Sequence, residues 1–459
     1  MSVLHEQLLN SLPEFEIPNS FENVDLYLKY LTIKGVENHY LNEKQAGGKI
    51  WEIIKDRAEY ELNLIILSKH ANYFLIVMDY VNWAIKQKIP VGPGRGAGTS
   101  SIVAYALRIT NIDPLKYNLL FERFINTERI AIPDFDIDFA DKGRNDVINY
   151  VTEKYGRECV KKIFIFSKKD PNQKPSIHPC GVIIAKKDIL DLSPFTFPDE
   201  NNDKPSPYDL NDLEDYGLIR FDFLGLRTLD IIKITTEVIC QQGGKYSEFS
   251  LVNIPENDEK TFEMLGKGDS SGVFQFESDG MKEILKQAKP KTINDLVAIN
   301  SLYRPGLLDR LSQLIEGKNN QLEVKYTIPE FEEILKETYG VVVFQEQVMQ
   351  IIHCVAGYSL GKADILRRIL GKYNHEDIDR EKKQFISCAT AKGYNEETSD
   401  NIFESLILSA KVAFNKSHAV AYSFLAYQTA YLKAHFPNEY EISFNRYLRG
   451  NQNEMEKED

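Results

Sequence analysis

Cysteine is sparse in this chain and none of it is paired by spacing. Cys159, Cys180, Cys240, Cys354 and Cys388 lie far apart with no CxxC among them, so neither a zinc ribbon nor a disulfide framework is indicated. No apolar run reaches the roughly 18 residues a membrane span needs. No charged-then-apolar leader opens the chain. These absences point to a cytoplasmic protein without a membrane partner. No internal repeat is visible. Positive charge is also short: 55 Lys and Arg stand against 68 Asp and Glu, a net charge of −13 at pH 7. Such a chain must gather its basic residues in one place to hold a polyanion. A P-loop is missing too. The glycine-rich stretch Gly92–Gly98 is not followed by GK[ST], and the helix after it lacks Rossmann spacing. What remains is an ordinary globular composition, 43% hydrophobic and 27% charged over 459 residues, with room for two or three domains.

Against that background one stretch stands out, Pro133-Asp134-Phe135-Asp136-Ile137-Asp138-Phe139. Its alternation of apolar and acidic residues has the period of a strand with one buried face. Asp136 and Asp138, two residues apart, then project from the same face. A second acidic strand is expected at Leu218–Leu226, where Asp222 sits among aromatic and aliphatic neighbours. A charge there is costly unless it is metal-bound or at a strand end. Carboxylates are the hard ligands that Mg²⁺ selects, and three of them from two strands suffice for two-metal phosphoryl transfer. An isolated DxD pair is also compatible with a solvated strand edge.

Upstream, Val91-Gly92-Pro93-Gly94-Arg95-Gly96-Ala97-Gly98-Thr99-Ser100-Ser101 precedes an apolar helical run, Ile102 to Leu107. Glycines let the backbone approach a ligand and present N–H groups to phosphate. Arg95 adds a fixed positive charge. Together with the acidic strand, the loop reads as a triphosphate cradle facing a metal site.

The second half reads as mostly helical. Thr327 to Gly340, Val343 to Gly357, Ala363 to Leu370, Asp377 to Lys392 and Glu396 to Lys411 carry apolar residues three to four apart. Gly340, Gly357, Gly371 and Gly393 are placed as C-terminal stop signals. Arg367, Arg368 and Lys372 fall within about one turn of each other on a helix. A boundary is expected near Gln241–Lys245 and a polar hinge at Glu316–Gln321. The tail Asn451–Asp459 is acidic and expected to be frayed.

The run from Tyr73 to Gly156 closely resembles the palm of bacterial family C replicative DNA polymerases, the alpha subunit of DNA polymerase III. The matching strings are Tyr73-Phe74-Leu75-Ile76-Val77, Val91-Gly92-Pro93-Gly94-Arg95-Gly96, Leu119-Leu120-Phe121-Glu122-Arg123-Phe124 and the acidic strand itself. The resemblance continues through Phe221–Leu229, Gly272-Val273-Phe274-Gln275, Leu302-Tyr303-Arg304-Pro305-Gly306 and Glu337–Val341. Gln345–Met349, Leu366-Arg367-Arg368 and Phe414-Asn415-Lys416-Ser417-His418 complete it, so that it spans about residues 60 to 440.

The resemblance implies an α/β palm of the polymerase-beta-like nucleotidyltransferase type over residues 1–242, with lead-in helices over 1–59. A mostly α-helical fingers domain over 243–450 and a disordered tail over 451–459 follow. Asp136, Asp138 and Asp222 match the family's catalytic, metal-holding carboxylates, for two Mg²⁺ ions with Mn²⁺ as a substitute. Gly94, Arg95, Gly96 and Gly98 match the segment beside the incoming dNTP. Arg123, Arg129, Arg144 and Arg220 occupy basic positions around it, and Lys416 and His418 a motif at the nucleotide end of the fingers. Arg304, Arg367, Arg368 and Lys372 are the expected contacts to primer–template DNA. Tyr303 and Tyr422 are candidates to stack on a base.

The departures from the family carry expectations of their own. The amino-terminal phosphoesterase-like domain is absent, which implies no proofreading or pyrophosphatase site. A polar loop at 167–176 stands in place of the thumb, and the carboxy-terminal regions are missing. Asp279 stands where many relatives have a basic residue. Lost phosphate contacts weaken DNA binding, so a weakly processive enzyme, or one held to DNA by a tethering replication partner, is expected. The alternative is a catalytically weak or inactive DNA- or nucleotide-binding remnant of a replicative polymerase.

Overall fold

The structure is a computed structural model that describes residues 3–129, 131–165, 176–189, 213, 217–320, 324–372 and 375–458. By its internal contacts the chain divides into two compact units. The first comprises residues 1–116 and 130–230, the second residues 117–129 and 231–459.

In the first unit, helices α1 (Val3–Asn10), α2 (Val24–His39), α3 (Leu41–Ala46), α4 (Lys49–Leu67) and α5 (Ala71–Lys86) precede the short α6 (Ile102–Ala106). Then come β1 (Asp136–Phe139), α7 (Arg144–Tyr155), β2 (Val160–Ile165), β3 (Ser176–Ile184) and β4 (Arg220–Gly225). The sheet order is β1-β4-β3-β2. β1 and β4 are parallel, with Asp136 opposite Asp222, and the other two pairings are antiparallel. The fold is therefore a small mixed sheet in a helix-rich chain.

Period two explains why the sheet sits where it does. Phe135, Ile137, Phe139, Phe221 and Phe223 are buried. Their rings meet Tyr73, Phe74 and Tyr80 from α5. Tyr73 lies 5.3 Å from Phe221, Phe74 5.1 Å from Phe135, and Tyr80 4.7 Å from Phe223. The α5 residues recur at helical spacing, so one helix face covers one sheet face. The alternate positions are left to the carboxylates. α4 and α5 together are long and apolar but turn through 112° between them, and much of α5 is buried in this packing. Among the described residues no single helix is long and apolar enough to cross a membrane.

The named helices that follow begin with α8 (Arg227–Gln241), across the division, and continue with α9 (Glu259–Gly266), α10 (Asp279–Ala288), α11 (Ile293–Leu302) and α12 (Leu308–Asn319). Next are α13 (Phe331–Leu335), α14 (Gln345–Ala356), α15 (Leu360–Lys372), α16 (His375–Ala391), α17 (Glu396–Ala410), α18 (Lys416–His435) and α19 (Pro437–Glu458). Side-chain caps start many of them. Asp258, Ser278, Thr292, Asn395 and Asn415 each accept a backbone N–H in the first turn, satisfying donors that a helix leaves free. Val348, Ile352, Leu366, Leu370, Phe385, Phe403 and Leu406 form the apolar centre of α13–α17.

Several expectations change. The helix expected over Thr327–Gly340 is only α13 plus a tight turn through Thr338, after which Tyr339 and Gly340 take φ of +51° and +85° and end the run. Gly371 does not stop a helix, since α15 runs to Lys372, whereas Gly357 and Gly393 do adopt positive φ. Glu316–Asn319 of the expected hinge is the end of α12, anchored by buried Leu311, Leu314 and Ile315. Gly317 there packs so tightly that a Cβ would lie 2.8 Å from the Tyr339 carbonyl. The division into compact units falls at Asp230, and 117–129 joins the second unit. α19 runs to Glu458. Of the 167–176 loop, Ser176 opens β3, and the rest lies outside the described residues.

Two outcomes test this architecture. Phe223→Ala, which empties the space between Tyr80 and Phe139, is expected to cost about 3–5 kcal/mol in urea denaturation. His70, before α5, is 1% exposed, with both ring nitrogens unpartnered and the His5 ring 5.2 Å away. Burial, with His5 adding to it, pushes its pKa down to about 3. The folded state therefore binds fewer protons than the unfolded state. Stability is full above the ordinary histidine pKa of roughly 6.5 and falls as pH drops from there toward about 3. Urea midpoints followed from pH 7 to pH 5 should decline less steeply in His70→Asn than in the unchanged chain.

Candidate active site

The carboxylate face of β1 and β4 carries three side chains in reach of one another. Asp134, Asp136 and Asp222 each offer an oxygen, and these lie within 4.8 Å of one another. Exposure falls in the order Asp134, Asp136, Asp222. Burial raises the pKa of Asp136, and the negative charge of Asp222 adds to it. Burial likewise raises Asp222, although Arg220 opposes the shift. The Nη2 of Arg220 lies 2.9 Å from Asp222 Oδ2 and 3.9 Å from Asp134 Oδ2. Asp222 Oδ1 is buried with no hydrogen-bond partner. Asp138, on the same face, has its Oδ1 3.1 Å from Arg95 Nη1.

The glycine loop faces these groups. The Gly92 N–H donates to the Asp138 carbonyl at 2.8 Å, and Val91 bridges to Phe139, so the loop is laced to the free edge of β1. A Cβ on Gly92 would sit 2.9 Å from Asp138 Cβ, and one on Gly96, at φ +64°, 3.2 Å from Asp136 Oδ2. Gly94 takes φ +146°, with Thr99 Oγ1 2.6 Å from where its Cβ would be. Glycine is required at these places for close approach and for backbone conformation. Carboxylate oxygens only, one of them orphaned, and a lining without side chains fit a hard divalent cation.

The other basic residues expected in the first unit divide. Arg95 and Arg220 border the carboxylates. Arg144 instead donates through Nε to the Phe223 carbonyl at 2.6 Å, tying α7 to β4. Gly98 is buried behind the loop.

In the second unit, Arg123, Arg129, Arg367 and Arg368 gather about two buried acids. Asp364, fully buried, accepts from Arg367 Nη2 at 2.7 Å and Arg368 Nε at 2.8 Å, with Arg129 Nε 4.0 Å away. Burial opposes the charge on Asp364, but the arginines outweigh it and hold its carboxyl below the usual range. Arg123 donates through Nε to Gln345 at 2.8 Å. Burial, with Arg367 adding to it, pushes its pKa down to about 10. The Lys416 Nζ is buried against Glu337 at 2.8 Å, and its backbone N–H donates to the buried Glu346. Arg304 donates to the Ser301 and Val412 carbonyls and lies over the Phe414 ring. His418 stacks on Tyr422 at 4.3 Å. Tyr303 packs against Gly280, and Lys372 is exposed.

Residues that sequence reasoning passed over include Asp134, whose signal was its place in the same period-two alternation, and Asp364, one turn before Arg367 and Arg368. Cys180, on β3, has its thiol pushed up to about 11 by burial and by Asp222; no sequence pattern marked it. Asp364→Ala leaves Arg367 buried without its partner. It should cost the second unit about 3–5 kcal/mol, read by chemical denaturation.

Two family models match the chain. The one described as the bacterial DNA polymerase III alpha NTPase domain covers residues 26–173 and 169–225. The one described as the bacterial DNA polymerase III alpha subunit finger domain covers residues 228–393. Among curated relatives, DNA polymerase III subunit alpha of Borreliella burgdorferi is 42% identical over 95% of this chain and 42% of its own length. That of Treponema pallidum is 41% identical over 94% of this chain and 42% of its own. That of Neisseria meningitidis serogroup A is 38% identical over 94% and 43%. The chain thus spans about two-fifths of the length of these relatives. Over that span, it belongs to the bacterial DNA polymerase III alpha subunit family.

Proposed function

We propose that this chain carries the nucleotidyl-transfer core of a DNA-directed DNA polymerase, adding deoxynucleotides to a primer 3′-hydroxyl. The sheet unit is read as the polymerase-beta-like palm and the helical unit as the fingers. The observation that carries this reading is the register of Asp136 on β1 with Asp222 on the parallel β4 beneath a glycine loop. Asp136, Asp138 and Asp222 would hold two Mg²⁺ ions, or Mn²⁺ in their place, with Asp134 at the rim. Bound there, the metals supply activation of the 3′-hydroxyl and charge neutralisation on the triphosphate.

The chain's own groups do the rest. The loop N–H groups from Gly94 to Gly98 cradle phosphate oxygens. Arg95 and Arg220 stand beside the carboxylates, where they offset charge that develops on the leaving pyrophosphate. The partly exposed Arg129 and Arg368 supply guanidinium groups for nucleotide and DNA phosphates, and Lys372 an exposed ammonium, while Arg123 and Arg367, bonded to Gln345 and Asp364, hold that cluster in place. Lys416 and Arg304 act by shaping the start of α18, because their charged ends are already bonded within the unit. Arg144 acts in the same indirect way, through β4. His418, stacked on Tyr422, presents a ring at the same helix end. With a net charge of −13, the chain is read as weakly processive, or as tethered to DNA by a replication partner in the cytoplasm.

A second reading, a non-catalytic DNA- or nucleotide-binding role, is favoured by the pairing of Asp222 with Arg220 and of Asp138 with Arg95, which engages two of the carboxylates with arginines. Extension of a labelled primer–template at low salt with Mg²⁺ and dNTPs separates the two. Extension that drops to background in Asp136→Ala/Asp138→Ala is the expected result. Retained dNTP or DNA binding without extension would instead establish the binding role.

A further inference from the structure

Glu61, on α4, is a carboxylate with no exposed surface, remote in sequence from the site and unused by the reading above. Its Oε1 accepts from Arg57 Nε at 2.6 Å, one turn away on the same helix. Its Oε2 accepts from Ser101 Oγ at 2.7 Å and from the Val103 N–H at 3.2 Å. The other arm of Arg57 donates through Nη2 to the Ser100 carbonyl at 3.0 Å. The pair thus grips the glycine loop where it enters α6, taking a carbonyl with one member and a hydroxyl and an N–H with the other. Burying an ion pair is costly and gains little over an apolar pair of the same size. Its position accounts for it better than stability does. The loop is fastened at its other end by Gly92 on Asp138, and between the two fastenings Gly94 and Gly96 lie against Thr99 and Asp136.

We propose that Arg57 and Glu61 are positioning residues that set affinity for a nucleoside triphosphate by clamping the glycine loop against the carboxylate face. This rests on the functional reading given above for the loop. A loop fixed at one end only samples conformations in which its N–H groups do not converge, and the ordering cost then falls on binding.

The test uses Glu61→Gln, which keeps an acceptor for Ser101 and Val103 but removes the charge facing Arg57. Arg57→Gln is the milder companion. Amide hydrogen exchange over residues 94–101 should quicken about tenfold, with Leu75–Val77 of α5 unchanged. The KM for dNTP should rise about tenfold, with kcat within about twofold. Unchanged exchange over 94–101 overturns the proposal. So does exchange that quickens equally in α5, since the pair then only stabilises the unit, and so does an unaltered KM. An unchanged chain that neither binds nor incorporates dNTP sinks the functional reading and the affinity claim with it, whereas loss confined to the variants does not.

Discussion

Everything in the first unit depends on separating rings from charges across two parallel strands. β1 and β4 alternate aromatic and acidic residues, and the aromatic side is closed by Tyr73, Phe74 and Tyr80 of α5. Burying those rings is the dominant favourable term. It also fixes the strands so that a one-residue slip would send every carboxylate into the apolar layer. The position of Asp222 opposite Asp136 is thus a consequence of packing on the far face. The clustered carboxylates are the costly side of the same arrangement. Burial raises the pKa of both Asp136 and Asp222, and a neighbouring carboxylate adds to each shift, Asp222 to the first and Asp134 to the second. The arginines at Asp222 and Asp138 offset that cost.

The same logic recurs in the helical unit with the signs reversed. Asp364 and Glu346 are buried beneath a group of guanidinium side chains. Without those acids, four arginines could not be held together. With them, the unit keeps a concentrated positive patch in a chain whose net charge is −13. The buried acids are positioning elements for the basic ones, as Glu61 is for the glycine loop.

Much of the site was legible in the chain itself. The alternation at Asp134–Phe139 determined a strand with one acidic face. The glycines at 92, 94 and 96 announced a close backbone approach, and three-to-four spacing marked the run of helices between about residues 343 and 411, though not those on either side of it. Propensity and period are local quantities, and they served wherever local preference and tertiary packing agree. They failed where packing decides. Gly371 lies inside a helix, and Gly317 is a packing glycine rather than a hinge, because Tyr339 presses on it. A stop signal is read from backbone preference alone, and Gly317 answers to a neighbour instead.

By itself, the sequence determined the family, the acidic strand, the loop and which basic residues are there to be placed. Only the tertiary structure decided which of those residues meet. It turned Asp138 toward Arg95 and brought Asp134 to Asp136 and Asp222. It committed Arg144, Arg304 and Lys416 to bonds inside the fold, and it revealed Arg57 and Glu61 as the clamp on a loop some 40 residues downstream. The physical reason is that a charge's role is set by its nearest partner. Nearest partners in a folded chain come from strands and helices far apart in sequence, brought together by the burial of apolar faces that carry no chemistry of their own.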